Sequence, residues 1–205
     1  VGQPKRRRYD NASRAAAAQQ TRERIMRAAI ELFYELTYDE MTFARIAERA
    51  GVSPQTVVLH FRTKDNLVAE TAKWWRPREE GLRETPTGDP FEAAEKLCAR
   101  YELTGKAVMH VLAVEESVPG VQPILRNGRR SHREWVEATF GRFLARSGAV
   151  RERQIMQLVV AYDIYTWSIL RRVMPAAETV TAMGELARAV LDGVTQGATR
   201  GGARR

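Results

Sequence analysis

Thr42-Phe43-Ala44-Arg45-Ile46-Ala47-Glu48-Arg49-Ala50-Gly51-Val52-Ser53-Pro54-Gln55-Thr56-Val57-Val58-Leu59-His60-Phe61 is the stretch whose reading decides the fold. Phe43, Ile46, Ala47 and Ala50 recur at helical spacing and give a short helix with one apolar stripe. Thr42 stands where its hydroxyl can satisfy the first backbone N–H groups of that helix. Gly51 suits the left-handed residue that ends a helix, where a Cβ would cost about 1 kcal/mol. Ser53-Pro54 reads as the N-cap and first position of a second helix, with Val57 and Phe61 facing inward. Ala47 is small where two helices must cross closely. Ile46, Val52 and Val57 supply the apolar plug that holds them at a steep angle, and the spacing predicts a helix-turn-helix.

The outward residues of the second helix, Gln55, Thr56, Leu59 and His60, are then free to face a DNA major groove. Upstream, Ile25, Ala29, Leu32, Phe33 and Leu36 fall on one face of a longer helix, broken at Thr37-Tyr38-Asp39-Glu40. Downstream, Thr63 caps a fourth helix with Asp65 in its first turn, running through Leu67, Val68, Thr71 and Trp74-Trp75 until Pro77. Glu79–Pro90, with Gly81, Pro86, Gly88 and Pro90, reads as a linker. Beyond it helices are expected over 91–104, 106–117, 123–147, 151–174 and 178–197, with breaks at Val118-Pro119-Gly120, Ser147-Gly148 and Pro175. No stretch alternates with period two. The expected fold class is all-α: a small N-terminal bundle with the helix-turn-helix and a larger C-terminal helical body. The expected organisation is a flexible basic arm over 1–18, the helix-turn-helix domain over 19–66, the helical body over 67–197, and a flexible basic tail over 198–205.

Charge follows that division. The 205 residues carry 33 Lys/Arg and 25 Asp/Glu, a net charge of +8, with a sequence pI near 10.0. Residues 1–30 account for +6 and residues 200–205 for +3, which leaves the body near neutral. A basic arm is a common feature of nucleic-acid binding and equally of a solvated tail. Cys98 is the one cysteine, so neither an intrachain disulfide nor a Cys-based zinc site can form, and a reducing compartment is expected. No apolar run approaches the roughly 20 residues of a membrane span, and no apolar segment follows Lys5–Arg8 as a secretion signal requires. The expectation is a cytoplasmic globular protein with no metal site and no cofactor.

Catalysis is the rival class. Ser131-His132 and Asp163 supply triad residue types, but adjacent residues on one helix point about 100° apart, and no strained Gly-x-Ser-x-Gly turn presents a nucleophile. His60, His110 and His132 lack metal-ligand spacing, and no Gly-rich phosphate loop follows a strand. No enzyme is expected. A sequence-independent architectural DNA binder is the alternative function. The arm and tail suit it, whereas an aromatic-rich near-neutral body does not.

Thr42–Ser53, Thr56, His60-Phe61 and Lys64-Asp65-Asn66-Leu67 resemble the DNA-binding domain of the tetracycline-repressor (TetR) family. Arg24-Ile25-Met26-Arg27-Ala28-Ala29-Ile30-Glu31-Leu32-Phe33 is similar to that family's first helix. The resemblance covers about residues 20–70 and implies an all-α fold with an N-terminal three-helix bundle as DNA-binding domain over 19–66 and a C-terminal helical ligand-binding and dimerisation domain over 67–197. It implies a homodimeric transcriptional repressor that binds a palindromic double-stranded DNA operator and is released by a small molecule. By position it implies that Thr42 and Arg45 contact phosphate or groove edges, Pro54, Gln55, Thr56 and Leu59 lie on bases, and His60 and Lys64 meet phosphate. The chemistry agrees. Lys64 and the N–H groups opening the fourth helix can hold an anion. Gln55 can pair bidentately with adenine, and the Thr56 methyl can pack on thymine. One departure stands out: the family usually has tyrosine where this chain has Val58, which removes a backbone anchor and leaves an apolar contact.

Residues 152–174 are apolar nearly all round, and in a chain this short one side is expected to be covered by a partner subunit. Val180, Met183, Leu186, Ala187, Val190, Leu191 and Val194 form a stripe on the last helix, with Gly184 permitting close approach. Resemblance to the family points to the same homodimer, through 151–174 and 178–197; an intrachain pair is the alternative. Tyr101, Met109, His110, Trp135, Tyr162 and Asp163 are the candidate ligand-binding residues for a hydrophobic effector, although aromatic residues at helical spacing serve equally as plain core. Cys98 beside Leu97 reads as a small core residue rather than a redox trigger.

Overall fold

A computed structural model describes residues 5–80 and 88–202, with side chains described over 13–75 and 88–193. The described residues are helical, without a strand: α1 (Lys5–Glu35), α2 (Phe43–Ala50), α3 (Pro54–Phe61), α4 (Lys64–Glu80), α5 (Pro90–Leu112), α6 (Gln122–Phe140), α7 (Gly148–Ala161), α8 (Ile164–Arg171) and α9 (Ala176–Gly202). Short 3-10 turns occupy Pro119–Val121 and Gly141–Phe143. The chain divides into two compact units. One is Val1–Arg78 with His110–Ile124, and the other is Glu79–Met109 with Leu125–Arg205. The first therefore takes in all of residues 67–78, past the boundary expected at 66/67, and recovers a second stretch of chain where α5 ends and α6 begins.

In the first unit α1 packs on α2 and α2 on α3. Ile25, Ala29, Ile46, Ala47, Val57, Phe61, Leu67 and Val68 are buried together, as their spacing predicts. Each large apolar side chain removed from water contributes about 1.5–3 kcal/mol, which is what holds helices as short as α2 and α3. Tyr38, in the stretch expected only to break the pattern, and Met41 just after it are also core. Val118 and Val121 join this unit from the middle of the sequence, and Gly120 lies against Asp65, where a Cβ would come within 2.9 Å of the Asp65 Cβ. The arm expected over 1–18 is helical from Lys5 onward as part of α1, in keeping with the high helix propensity of Ala15–Ala18. Its first four residues, the side chains of Lys5–Arg8 and the tail residues 203–205 lie outside the described residues, as does most of the expected linker, 81–87. Helix α4 continues through Pro77 to Glu80, since proline removes one helical hydrogen bond without preventing helix on both sides.

In the second unit α7 and α8 pack on α9. Three expected boundaries change. The helices expected over 91–104 and 106–117 are one, α5, because buried Gly105 is a close-approach residue: a Cβ there would lie 2.6 Å from the Trp167 ring. The helix expected over 151–174 is two. Asp163 is extended (φ −71°, ψ 150°) and its carboxylate accepts the Tyr165 N–H at 2.8 Å, so it starts α8 and ends α7's continuation. The helix expected over 123–147 stops at Phe140. There Arg151 donates to the carbonyls of Gly141 and Ala145, and Gln154 Oε1 accepts from Ala145 N, fixing the turn that follows. Gly184 is pressed against Phe91, whose ring lies 2.5 Å from where its Cβ would stand.

Candidate nucleic-acid interface

The local logic of 42–61 is realised in full. Thr42 Oγ1 accepts from Arg45 N at 3.3 Å, and Gly51 ends α2 in the left-handed conformation (φ 64°, ψ 42°) with its N–H on Ala47 O and Glu48 O. Ser53 Oγ accepts from Thr56 N at 3.2 Å and lies 2.9 Å from the Thr56 hydroxyl, with Pro54 at the start of α3. Val57 and Phe61 are fully buried. Pro54, Gln55, Val58, Leu59 and Arg62 are exposed, so one side of α3 is anchored and the opposite side faces outward.

The C-terminal end of α3 is held by groups that sequence reading passed over. Arg22 donates from Nη1 to His60 O at 2.9 Å, pairs with Glu70 at 3.2 Å, and lies 4.3 Å above the Phe61 ring. It stands one turn ahead of Ile25 on α1's apolar face, and that register was the signal for it. Asn66 Nδ2 donates to Phe61 O at 2.9 Å and Thr63 N to the same oxygen at 2.7 Å. The second bond closes a γ-turn around Arg62, whose φ of 61° is the one positive value at a non-glycine among the described residues. That turn form is rare and costs about 1–3 kcal/mol. It ends α3 abruptly and leaves Arg62 exposed at the tip of the outward face.

Of the residues singled out for DNA, Thr42, Arg45, Pro54, Gln55 and Leu59 are exposed, and Thr56 and His60 are half-buried. Lys64 is engaged: its ammonium donates to Tyr38 O at 2.9 Å and sits 4.0 Å from the Tyr38 ring centre. One of its three donors is thereby used, and two remain. Thr63 Oγ1 accepts from Asn66 N at 3.2 Å, capping α4 as expected. The Tyr38 hydroxyl donates to Asp65 Oδ1. Burial, followed by that carboxylate, pushes the Tyr38 phenol well above its ordinary value. The start of α4 is thus tied to the α1–α2 turn through both of its charged residues.

The ligand-binding candidates separate. His110 belongs to the first unit, with Nδ1 at 3.3 Å from Phe33 O, and half-buried Met109 belongs to the second. Tyr101, Trp135 and Tyr162 come together in the second unit as an aromatic cluster. Tyr162 stacks on Phe140 at 5.5 Å and meets Trp135 edge-on at 5.4 Å, while Tyr101 lies 5.7 Å from Trp167. The hydroxyls are spent internally: Tyr101 donates to Tyr162 O at 3.0 Å and Tyr162 to Pro90 O at 2.8 Å. Asp163 serves as the α8 cap. Cys98 is buried with its thiol 3.5 Å from Met183 Sδ, and burial pushes that thiol up to about 11. Among the described residues no group of three His, Cys, Asp or Glu converges, and no helix is long and apolar enough to cross a membrane.

Comparison with known proteins agrees with the geometry. Residues 25–71 match the family model described as bacterial regulatory proteins, tetR family. A transcriptional regulator from Rhodococcus superposes with a TM-score of 0.68 at 20% identity, covering 84% of this chain and 96% of that one. A TetR transcription regulator from Haloarcula marismortui does so at 0.66 and 17% identity, covering 86% and 98%. NalD of Pseudomonas aeruginosa, a secondary repressor of the MexAB-OprM multidrug efflux pump, does so at 0.52 and 22% identity, covering 86% and 98%. At these identities the likeness is one of fold. No curated protein sequence matches the chain.

Proposed function

We propose, from the match of residues 25–71 to the model of bacterial regulatory proteins of the tetR family, that this chain is a transcriptional repressor that binds a palindromic operator as a homodimer and is released by a small hydrophobic molecule. The observation that carries the reading is α3, anchored on one side by Val57 and Phe61 and bare on the other. Gln55 and Thr56 would read base edges together with Pro54 and Leu59. Thr42, Arg45, His60 and the two remaining donors of Lys64 would hold phosphates, which position the helix without reading sequence. The protein would act in the cytoplasm.

Dimerisation through α7–α9 is supported by apolar surface that the single chain leaves bare: Val160 is 60% exposed, Ile169 62% and Val173 78%. Two copies would place paired recognition helices one turn of DNA, about 34 Å, apart. An effector would act by linkage: it weakens operator binding by the factor by which operator weakens effector binding. The aromatic cluster around Tyr101, Trp135 and Tyr162 is the region in which the effector site is proposed, with Met109 and Asp163 of the same unit as its further candidate residues.

Selection of bound duplexes from a random DNA pool, at near-physiological salt, tests the reading. Enrichment of one inverted repeat is expected. Equal retention of unrelated sequences by a folded dimer overturns it in favour of sequence-independent binding. Removal of residues 1–18 is expected to weaken binding to the enriched duplex and flatten its salt dependence, because cations released from phosphates set that slope. An unchanged slope would exclude a DNA role for the basic end of α1.

A further inference from the structure

The outward stripe of α3 is chemically unlike a surface. Gln55, Val58 and Leu59 are exposed at i, i+3 and i+4, so they share one face, and Arg62 is exposed just past the end of the helix. At its centre are two branched aliphatic side chains, Val58 46% exposed and Leu59 80% exposed. Neither is a core residue, because Val57 and Phe61, both fully buried, are the residues that α3 turns inward. Around them are cations, with Arg45 exposed on α2 and Arg62 exposed at the stripe's end. An apolar centre inside a cationic frame fits a polyanion that presents an apolar group of its own. In the major groove that group is the thymine 5-methyl, the one apolar feature among the base edges.

Resting on the reading of α3 as a recognition helix, we propose that Val58 and Leu59 are specificity-determining residues that read thymine methyl groups at the centre of each operator half-site. At position 58 a tyrosine would grip phosphate. Valine has no polar group to do so and offers a methyl-to-methyl contact instead. The two residues are consecutive, with Cα atoms about 3.8 Å apart, a distance close to one base-pair step of about 3.4 Å. They therefore address adjacent base pairs, with Gln55 beyond them on one side and Arg62 on the other. The half-site should carry neighbouring thymines, on either strand, flanked by positions read through hydrogen bonds.

Replacing thymine by deoxyuridine deletes the methyl and leaves every hydrogen-bonding group in place. In the duplex enriched by selection, each thymine of one half-site is replaced in turn, and binding of the full chain is measured. One or two central positions should lose about fourfold in affinity, the equivalent of one methyl-sized group returned to water, with no change elsewhere. In Val58→Ala or Leu59→Ala the penalty at the matching position should vanish while the other persists. Both residues are exposed, so circular dichroism should match the parent. An enriched half-site without central thymines, or one in which no uracil substitution changes affinity, overturns the proposal and leaves sequence-specific binding intact. Unchanged uracil penalties in both variants also overturn it. A pool that enriches nothing removes both readings together. A change of oligomeric state in Leu59→Ala without any uracil effect would assign the stripe to a protein contact.

Discussion

Thr71 is a single residue whose chemistry and surroundings disagree. It is buried on α4, and its hydroxyl has no hydrogen-bond partner. A buried unsatisfied hydroxyl costs about 1–3 kcal/mol, and valine has nearly the same shape without that cost. Thr71→Val should therefore stabilise the protein by about 1 kcal/mol in chemical denaturation; a destabilised variant would mean that the hydroxyl is satisfied in solution. Tyr38 and Tyr162 give a second prediction. Burial is the leading cause of the upward push on both phenols, with the Asp65 carboxylate beside one and Asp89 near the other. The folded protein holds these two protons more tightly than the unfolded chain does. Their stabilising contribution is complete below the ordinary phenol value of 10.0 and drains away as pH climbs beyond it. Ultraviolet phenolate titration should find Tyr38 and Tyr162 silent until alkaline unfolding. Titration of both in the native state would contradict the burial argument.

Capping decides much at the level of elements. The Asp163 carboxylate on Tyr165 N is the local reason that α7 and α8 are separate. Asp163→Ala should cost about 1 kcal/mol of stability, and Asp163→Asn, which keeps an acceptor, should recover most of it. Equal losses in both would point to the negative charge instead. Caps were also where the sequence was most legible. Thr42, Gly51, Ser53 and Thr63 bound α2, α3 and the start of α4 where their side-chain chemistry requires. Gly105 misled because a glycine in a helical pattern reads as a break, whereas it leaves room for the Trp167 ring, 62 positions further along the chain. The capping role of Asp163 was hidden because capping and ligand binding demand the same carboxylate. The outward face of α3 followed from periodicity. Arg22 on His60 O, and the strained turn at Arg62, depend on contacts between distant residues or on backbone angles that no local pattern encodes.

For the whole molecule the largest unbalanced feature is the apolar surface of α7–α9. Ile169→Glu with Val173→Glu would put charge on that surface at no cost to the monomer core, because both residues are exposed there. The parent should sediment at twice the 23.2 kDa chain mass and the variant at the chain mass, with operator affinity lost as the half-sites uncouple. A parent that is monomeric at micromolar concentration would remove the dimer from the proposal. A different consequence belongs to the return of His110–Ile124 to the first unit. Val118 and Val121 are buried there, and Gly120 leaves Asp65 no room for a side chain opposite it. The first unit, proposed to read DNA, is therefore discontinuous along the gene. A ribosome that has made Arg78 has not yet made all of its core, so the unit matures only after α5 has been synthesised. Recombination that exchanges readers between regulators at one crossover carries α1–α4 away from Val118 and Val121, and a functional chimera must inherit both stretches or re-evolve their fit.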